Sequence, residues 1–118
     1  MSLQDQLDVI RDEELAKTPA PVLEILREAQ AYLRSTGVGT KALSVGDTAP
    51  DFELPDSDDR PVSLATLRAR GPVIVDFFRG GWCPFCSLEL RAYQRLVETI
   101  ENAGASLIAV SPELPPYL

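Results

Sequence analysis

The sequence predicts an α/β protein in which N-terminal helices are followed by a β-hairpin and a β-α-β unit. Three observations carry this expectation. Apolar residues recur at helical spacing through residues 3–33, short apolar stretches flank an acidic turn at Asp56–Asp59, and the apolar runs Val73–Phe78 and Leu107–Val110 are separated by an amphipathic helical stretch.

Leu3, Leu7 and Ile10 fall at i, i+4 and i+7, which predicts a short helix ending near Lys17, before Thr18-Pro-Ala-Pro21. A second helix carries Pro21 in its first turn, sets Val22, Ile25, Leu26, Ala29, Tyr32 and Leu33 on one apolar face, and meets Gly37 as its stop. That face must pack on something. Residues 38–72 are rich in Gly, Pro, Asp and Ser, so residues 1–40 read as a helical segment and 41–118 as the α/β part, with a hairpin built from Asp51–Leu54 and Val62–Leu64. Val73–Phe78 is β-branched and aromatic throughout except at Asp76, as a strand buried on both faces would be. A helix is expected from about Pro84 to Ala103, with Leu90, Tyr93, Leu96, Val97 and Ile100 on one face and Gly104 ending it, before the strand Leu107–Val110. Strand, helix, strand at this length implies two parallel strands joined by a right-handed crossover. Ligands and chemistry gather beyond the carboxyl ends of such strands, where the helix N-terminus presents free N–H groups.

Composition narrows the chemistry. The 118 residues carry a net charge of −7, which disfavours nucleic acid and anionic membranes, both bound mainly through Lys and Arg. No apolar run approaches the roughly 18 residues of a membrane span. The N-terminus carries acids where a signal peptide would carry basic residues, so a cytoplasmic location is expected. There is no His, which leaves catalysis to Cys, carboxylates or a bound cofactor. Residues 1–59 hold 13 acids against 5 bases, whereas residues 60–118 hold 5 against 6, every one an Arg. A thiolate meets less repulsion in that second half, and both cysteines lie there.

Trp82-Cys-Pro-Phe-Cys86 sits between the first long strand and its helix. Residues three apart at a helix start are close enough for a reversible disulfide. The helix N-terminus also stabilises an anion, which lowers a thiol pKa and raises the reactive thiolate fraction. Two buried structural cysteines, or half of a zinc site completed from elsewhere, are the competing readings. A C-x-x-C at this junction of a β-α-β unit favours redox chemistry over both.

Leu43-Ser-Val-Gly-Asp-Thr-Ala-Pro-Asp-Phe-Glu-Leu54 resembles the N-terminal signature of peroxiredoxins, the alkyl hydroperoxide reductase and thiol-specific antioxidant family, which are built on the thioredoxin fold; the resemblance runs from about Leu43 to Ser111. Trp82–Cys86 resembles the redox motif of thioredoxin itself. Counted without a gap from Phe77-Phe78, the peroxiredoxin pattern puts Arg79 at its proline, Cys83 at its Thr or Ser, Cys86 at the peroxidatic Cys and Glu89 at its Glu. The nucleophile is thus Cys86 by the peroxiredoxin count and Cys83 by analogy with thioredoxin. The family's downstream Arg and cis-Pro loop have no counterpart up to Leu118, so the resemblance implies a partial thioredoxin-like fold, the front half of a longer member.

The expected activity is a thiol-dependent peroxidase reducing a hydroperoxide through Cys86 and Cys83, with no cofactor or metal and with an external thiol reductant of thioredoxin or glutathione type. Arg79 is the candidate thiolate-stabilising cation, and Trp82, Pro84 and Glu89 are the candidate substrate-binding residues. General thiol-disulfide exchange led by Cys83, and an inactive interaction or oligomerisation module, are the alternatives. A two-strand parallel core has exposed edges, through which homo-oligomers can form. Cys83, nearer the turn, is expected to be the more accessible thiol. Arg91, Arg95 and the acids Asp56–Asp59 are expected to be solvated, and Asp76 either faces solvent or, pointing inward, is paired or has a raised pKa that suits a proton shuttle.

Overall fold

The computed structural model describes residues 1–117, which form two compact units, Met1–Ala49 and the residues from Pro50 onward. The first unit holds helices α1 (Leu3–Lys17) and α2 (Ala20–Ser35). Ser2 starts α1 with a capping box: its hydroxyl accepts from the Asp5 N–H at 3.1 Å while the Asp5 carboxylate accepts from the Ser2 N–H at 2.7 Å. These bonds hold the Asp5 carboxyl below its usual range. Leu3, Leu7 and Ile10 are half-buried, as their spacing predicts. Pro19 is the N-cap of α2 and Pro21 lies in its first turn, and α2 stops before Gly37, whose φ of +69° suits glycine. The apolar face of α2 is largely exposed at Val22, Ile25, Leu26 and Leu33.

In the second unit, β1 (Glu53–Pro55) and β2 (Pro61–Ser63) form an antiparallel hairpin with Leu54 opposite Val62. The acidic tip is an organised turn. Asp56 accepts from the N–H groups of Asp58 at 2.8 Å and Arg60 at 2.9 Å, which lowers its carboxyl pKa, the Arg60 bond contributing most. Ser63 caps the short α3 (Leu64–Arg68), whose Leu64 is buried.

The functional frame follows: β3 (Val73–Phe77), α4 (Pro84–Gln94), α5 (Val97–Asn102) and β4 (Ser106–Val110), then a 3-10 turn at Pro115–Tyr117. β3 and β4 pair in parallel from Val73↔Ser106 to Phe77↔Val110. Gly71 and Gly104 precede the two strands so closely that a Cβ on Gly71 would overlap the Gly104 carbonyl oxygen. Only glycine fits there.

Two expectations need correction. The single helix from Pro84 to Ala103 is two helices. The Arg95 N–H reaches the Arg91 carbonyl only at 3.4 Å, and the Leu96 N–H turns to Tyr93 at 2.8 Å, a three-residue bond that ends α4 and leaves Leu96 exposed. Nor is β3 buried on both faces: Phe77 is 76% exposed, because among the described residues β4 is the only strand paired with it.

Candidate active site

β3 delivers the chain to the site. After Phe78, whose N–H donates to the Val110 carbonyl at 2.9 Å, the backbone leaves the sheet through Arg79, Gly80 and Gly81. The Cys83 N–H closes a tight turn onto the Gly80 carbonyl at 3.1 Å. Cys83 is then the N-cap of α4 and Pro84 its first residue, where a missing N–H costs nothing. Cys86 lies in the first turn. Both cysteines are free thiols and buried, Cys83 at 2% exposure and Cys86 at 9%. The expectation that Cys83 is the more accessible is therefore corrected, because its N-cap position folds the sulfur under the turn.

The surroundings favour negative charge on Cys83. Burial pushes the Cys83 thiol up, yet it is outweighed by the Cys86 N–H, the Cys86 thiol, the Phe85 N–H and the Arg79 charge, so the net shift is downward. The Cys83 sulfur makes no full capping hydrogen bond, so the helix N–H groups act on the anion chiefly as nearby dipoles. Cys86 has a donor of its own: the Arg79 N–H reaches Cys86 Sγ at 3.4 Å.

Among the other candidates, the Arg79 guanidinium stacks over the Trp82 ring at 4.6 Å from its centroid. Trp82 is mostly exposed, and Pro84 is exposed as well. Glu89, half-buried on α4, makes no hydrogen bond or ion pair among the described residues and is not brought to the thiols by one. Asp76 carries a buried Oδ2 without a hydrogen-bond partner among the described residues. No group of three or more Cys, Asp or Glu among the described residues is arranged to hold a metal ion, and no helix is long and apolar enough to cross a membrane.

Three further residues hold the turn. Ser87 donates to the Gly81 carbonyl at 3.3 Å, Ser111 donates to the Arg79 carbonyl at 3.5 Å, and the Glu113 carboxylate accepts from the Gly81 N–H at 3.4 Å. The position of Ser111 and Glu113 just beyond the carboxyl end of β4 is the signal that could have found them. A cleft of about 420 Å³ opens beside them, lined by Phe52, Leu54, Val62, Phe78, Ile108 and Val110.

A dithiol set between a parallel strand and the helix that follows defines a protein of partial thioredoxin-like α/β architecture. The chain belongs to the AhpC/TSA family, whose model matches residues 45–116. A Mycobacterium tuberculosis protein assigned by name to the peroxiredoxins is 37% identical over 79 residues, 67% of this chain and 50% of that protein. Peroxiredoxin Q, chloroplastic, of Triticum aestivum is 28% identical over 95 residues, 80% of this chain and 43% of its own. The same-named protein of Sedum lineare is 32% identical over 85 residues, 72% of this chain and 45% of its own. The chain spans about half the length of the relatives it matches.

Proposed function

We propose that this chain carries the reacting half of a thiol-dependent peroxidase, with Cys86 attacking the peroxide and Cys83 resolving. The observation that carries the reading is the pair of free thiols at the start of α4, one with a lowered pKa and the other receiving a backbone N–H. Reachability selects between the two sulfurs. Cys86, at 9% exposure against 2%, is the one a small peroxide meets first, and the peroxiredoxin register from Phe77-Phe78 names the same residue.

In the cycle, the Cys86 thiolate attacks the nearer oxygen of ROOH. An S–O bond forms, the O–O bond breaks, and the departing alkoxide takes a proton to give ROH. The Cys83 thiol then attacks the sulfenic sulfur, forming the disulfide and releasing water. Two electrons and two protons from an external dithiol, or from two monothiols, restore the pair. The Arg79 N–H and the N-terminus of α4 support the anionic Cys86 sulfur, while the Arg79 guanidinium acts on Cys83. A reducing, cytoplasmic setting belongs to the same reading, because the pair must be returned to free thiols at each turnover.

The test is peroxide consumption with a thiol reductant by wild type, Cys86→Ser and Cys83→Ser, with mass spectrometry of each cysteine. The proposal expects sulfenic acid at Cys86 in Cys83→Ser. Sulfenic acid at Cys83 in Cys86→Ser, with none at Cys86 in Cys83→Ser, would replace it with exchange led by Cys83.

A further inference from the structure

Resting on the dithiol reading above, we propose that Ser111 and Glu113 are positioning residues for Cys86, acting through the backbone of the Arg79–Gly81 turn. Arg79 is the hinge of the argument. Its N–H donates to Cys86 Sγ at 3.4 Å, and its carbonyl accepts from Ser111 Oγ at 3.5 Å. One residue therefore ties the sulfur to the segment beyond β4.

The Ser111 hydroxyl works in both directions, since it also accepts from the Glu113 N–H at 3.2 Å. Glu113 then closes the loop by accepting the Gly81 N–H at 3.4 Å. Its carboxyl group, together with the Trp82 indole nitrogen, occupies the space where a Cβ on Gly80 would stand, the carboxyl 2.7 Å from that point. Gly80 and Gly81 have no side chains to fix their own conformation, and glycine has the most backbone freedom to lose. The Cys83 N–H on the Gly80 carbonyl and Ser87 on the Gly81 carbonyl restrain the helix side of the turn, and its strand side needs a restraint from elsewhere. The parallel sheet supplies it, because the pairing Phe77↔Val110 sends the turn after β3 and the segment after β4 off the same end of adjacent strands.

The chemical consequence falls on one sulfur. An N–H aimed at sulfur favours thiolate over thiol, so a turn free to rotate takes that donor away from Cys86. The N–H groups that lower the Cys83 pKa belong to Cys86 and Phe85 of its own helix, and the turn reaches Cys83 only through the Gly80 carbonyl that accepts its N–H and through the Arg79 charge, the smallest of the influences on it.

The experiment is residue-resolved alkylation of the reduced, full 118-residue chain with iodoacetamide. In Ser111→Ala and in Glu113→Ala, alkylation of Cys86 slows about three- to tenfold while Cys83 stays within about twofold. Ser111→Thr and Glu113→Gln, which keep a donor hydroxyl and an acceptor oxygen, return Cys86 to the wild-type rate. Unchanged Cys86 rates in both alanine variants would overturn the proposal. So would acceleration of both buried thiols together in Glu113→Ala, the signature of general loosening. Glu113→Ala carries the test alone if Ser111→Ala does not fold. Alkylation needs no peroxide, so a wild type that consumes none defeats the peroxidase reading and leaves the clamp to its own measurement.

Discussion

The backbone N–H of Arg79 faces Cys86 Sγ at 3.4 Å, while the side chain of the same residue turns away to cover Trp82. Arg79 thus acts on the site in two separable ways. Arg79→Gln keeps the backbone donor and removes the charge, which is the smallest of the influences lowering the Cys83 pKa. Alkylation of Cys83 should slow by no more than about threefold, as expected for an exposed charge. Trp82 fluorescence should change with loss of the stacked cation. A slowing beyond tenfold would make the guanidinium, and not the helix N-terminus, the main support of the thiolate.

Removing either sulfur should divide the cycle. Cys86→Ser is expected to lower peroxide consumption by at least about two orders of magnitude. Cys83→Ser should still consume about one equivalent of peroxide per chain and then stall, because no partner condenses with the sulfenic acid. Stopped-flow peroxide loss followed by intact-mass analysis distinguishes the two outcomes.

The lowered Cys83 pKa has a thermodynamic counterpart. A thiol more acidic in the folded chain than its ordinary value of 9.0 adds stability that is complete above that value and is lost as pH falls through the folded pKa. The stability of the reduced wild type minus that of Cys83→Ser should therefore rise with pH between those limits and level off outside them. Urea midpoints across that range test this. A difference that shrinks as pH rises would mean that burial, not hydrogen bonding, dominates at this sulfur.

Gly71→Ala should destabilise the second unit by about 1–3 kcal/mol. The backbone there has a φ of +155°, and the new methyl group would run into the Gly104 carbonyl, which belongs to backbone and cannot swing aside. Equal denaturation midpoints for wild type and variant would show that the two strands tolerate a wider approach.

Much of the site was legible because its signals are local. The β-branched run before Arg79, Pro84 at a helix start and the three-residue cysteine spacing place the thiols without any distant information. The break at Arg95-Leu96 was not legible: neither residue is a helix breaker, and the change there is a single bond moving from four residues to three. Ser111 and Glu113 were missed for another reason. Their partners, Arg79 and Gly81, lie 32 residues earlier, and only the parallel sheet brings them together. The exposure order of the two cysteines likewise depends on how the Gly80–Cys83 turn folds over the sulfur, which spacing alone does not encode.

That separation of 32 residues also orders events in time. The α4 turn carrying both cysteines, and the β1–β2 hairpin, are made from near neighbours and can form on the microsecond scale. Pairing β3 with β4 must first close a long loop, so it comes later. A refolding chain therefore passes through an interval in which the dithiol helix exists and its distant anchors do not. During that interval the sulfurs are open to solvent and to any oxidant present. Refolding under reducing conditions should consequently yield more competent protein than refolding in air, with the difference set by how long the sheet takes to close.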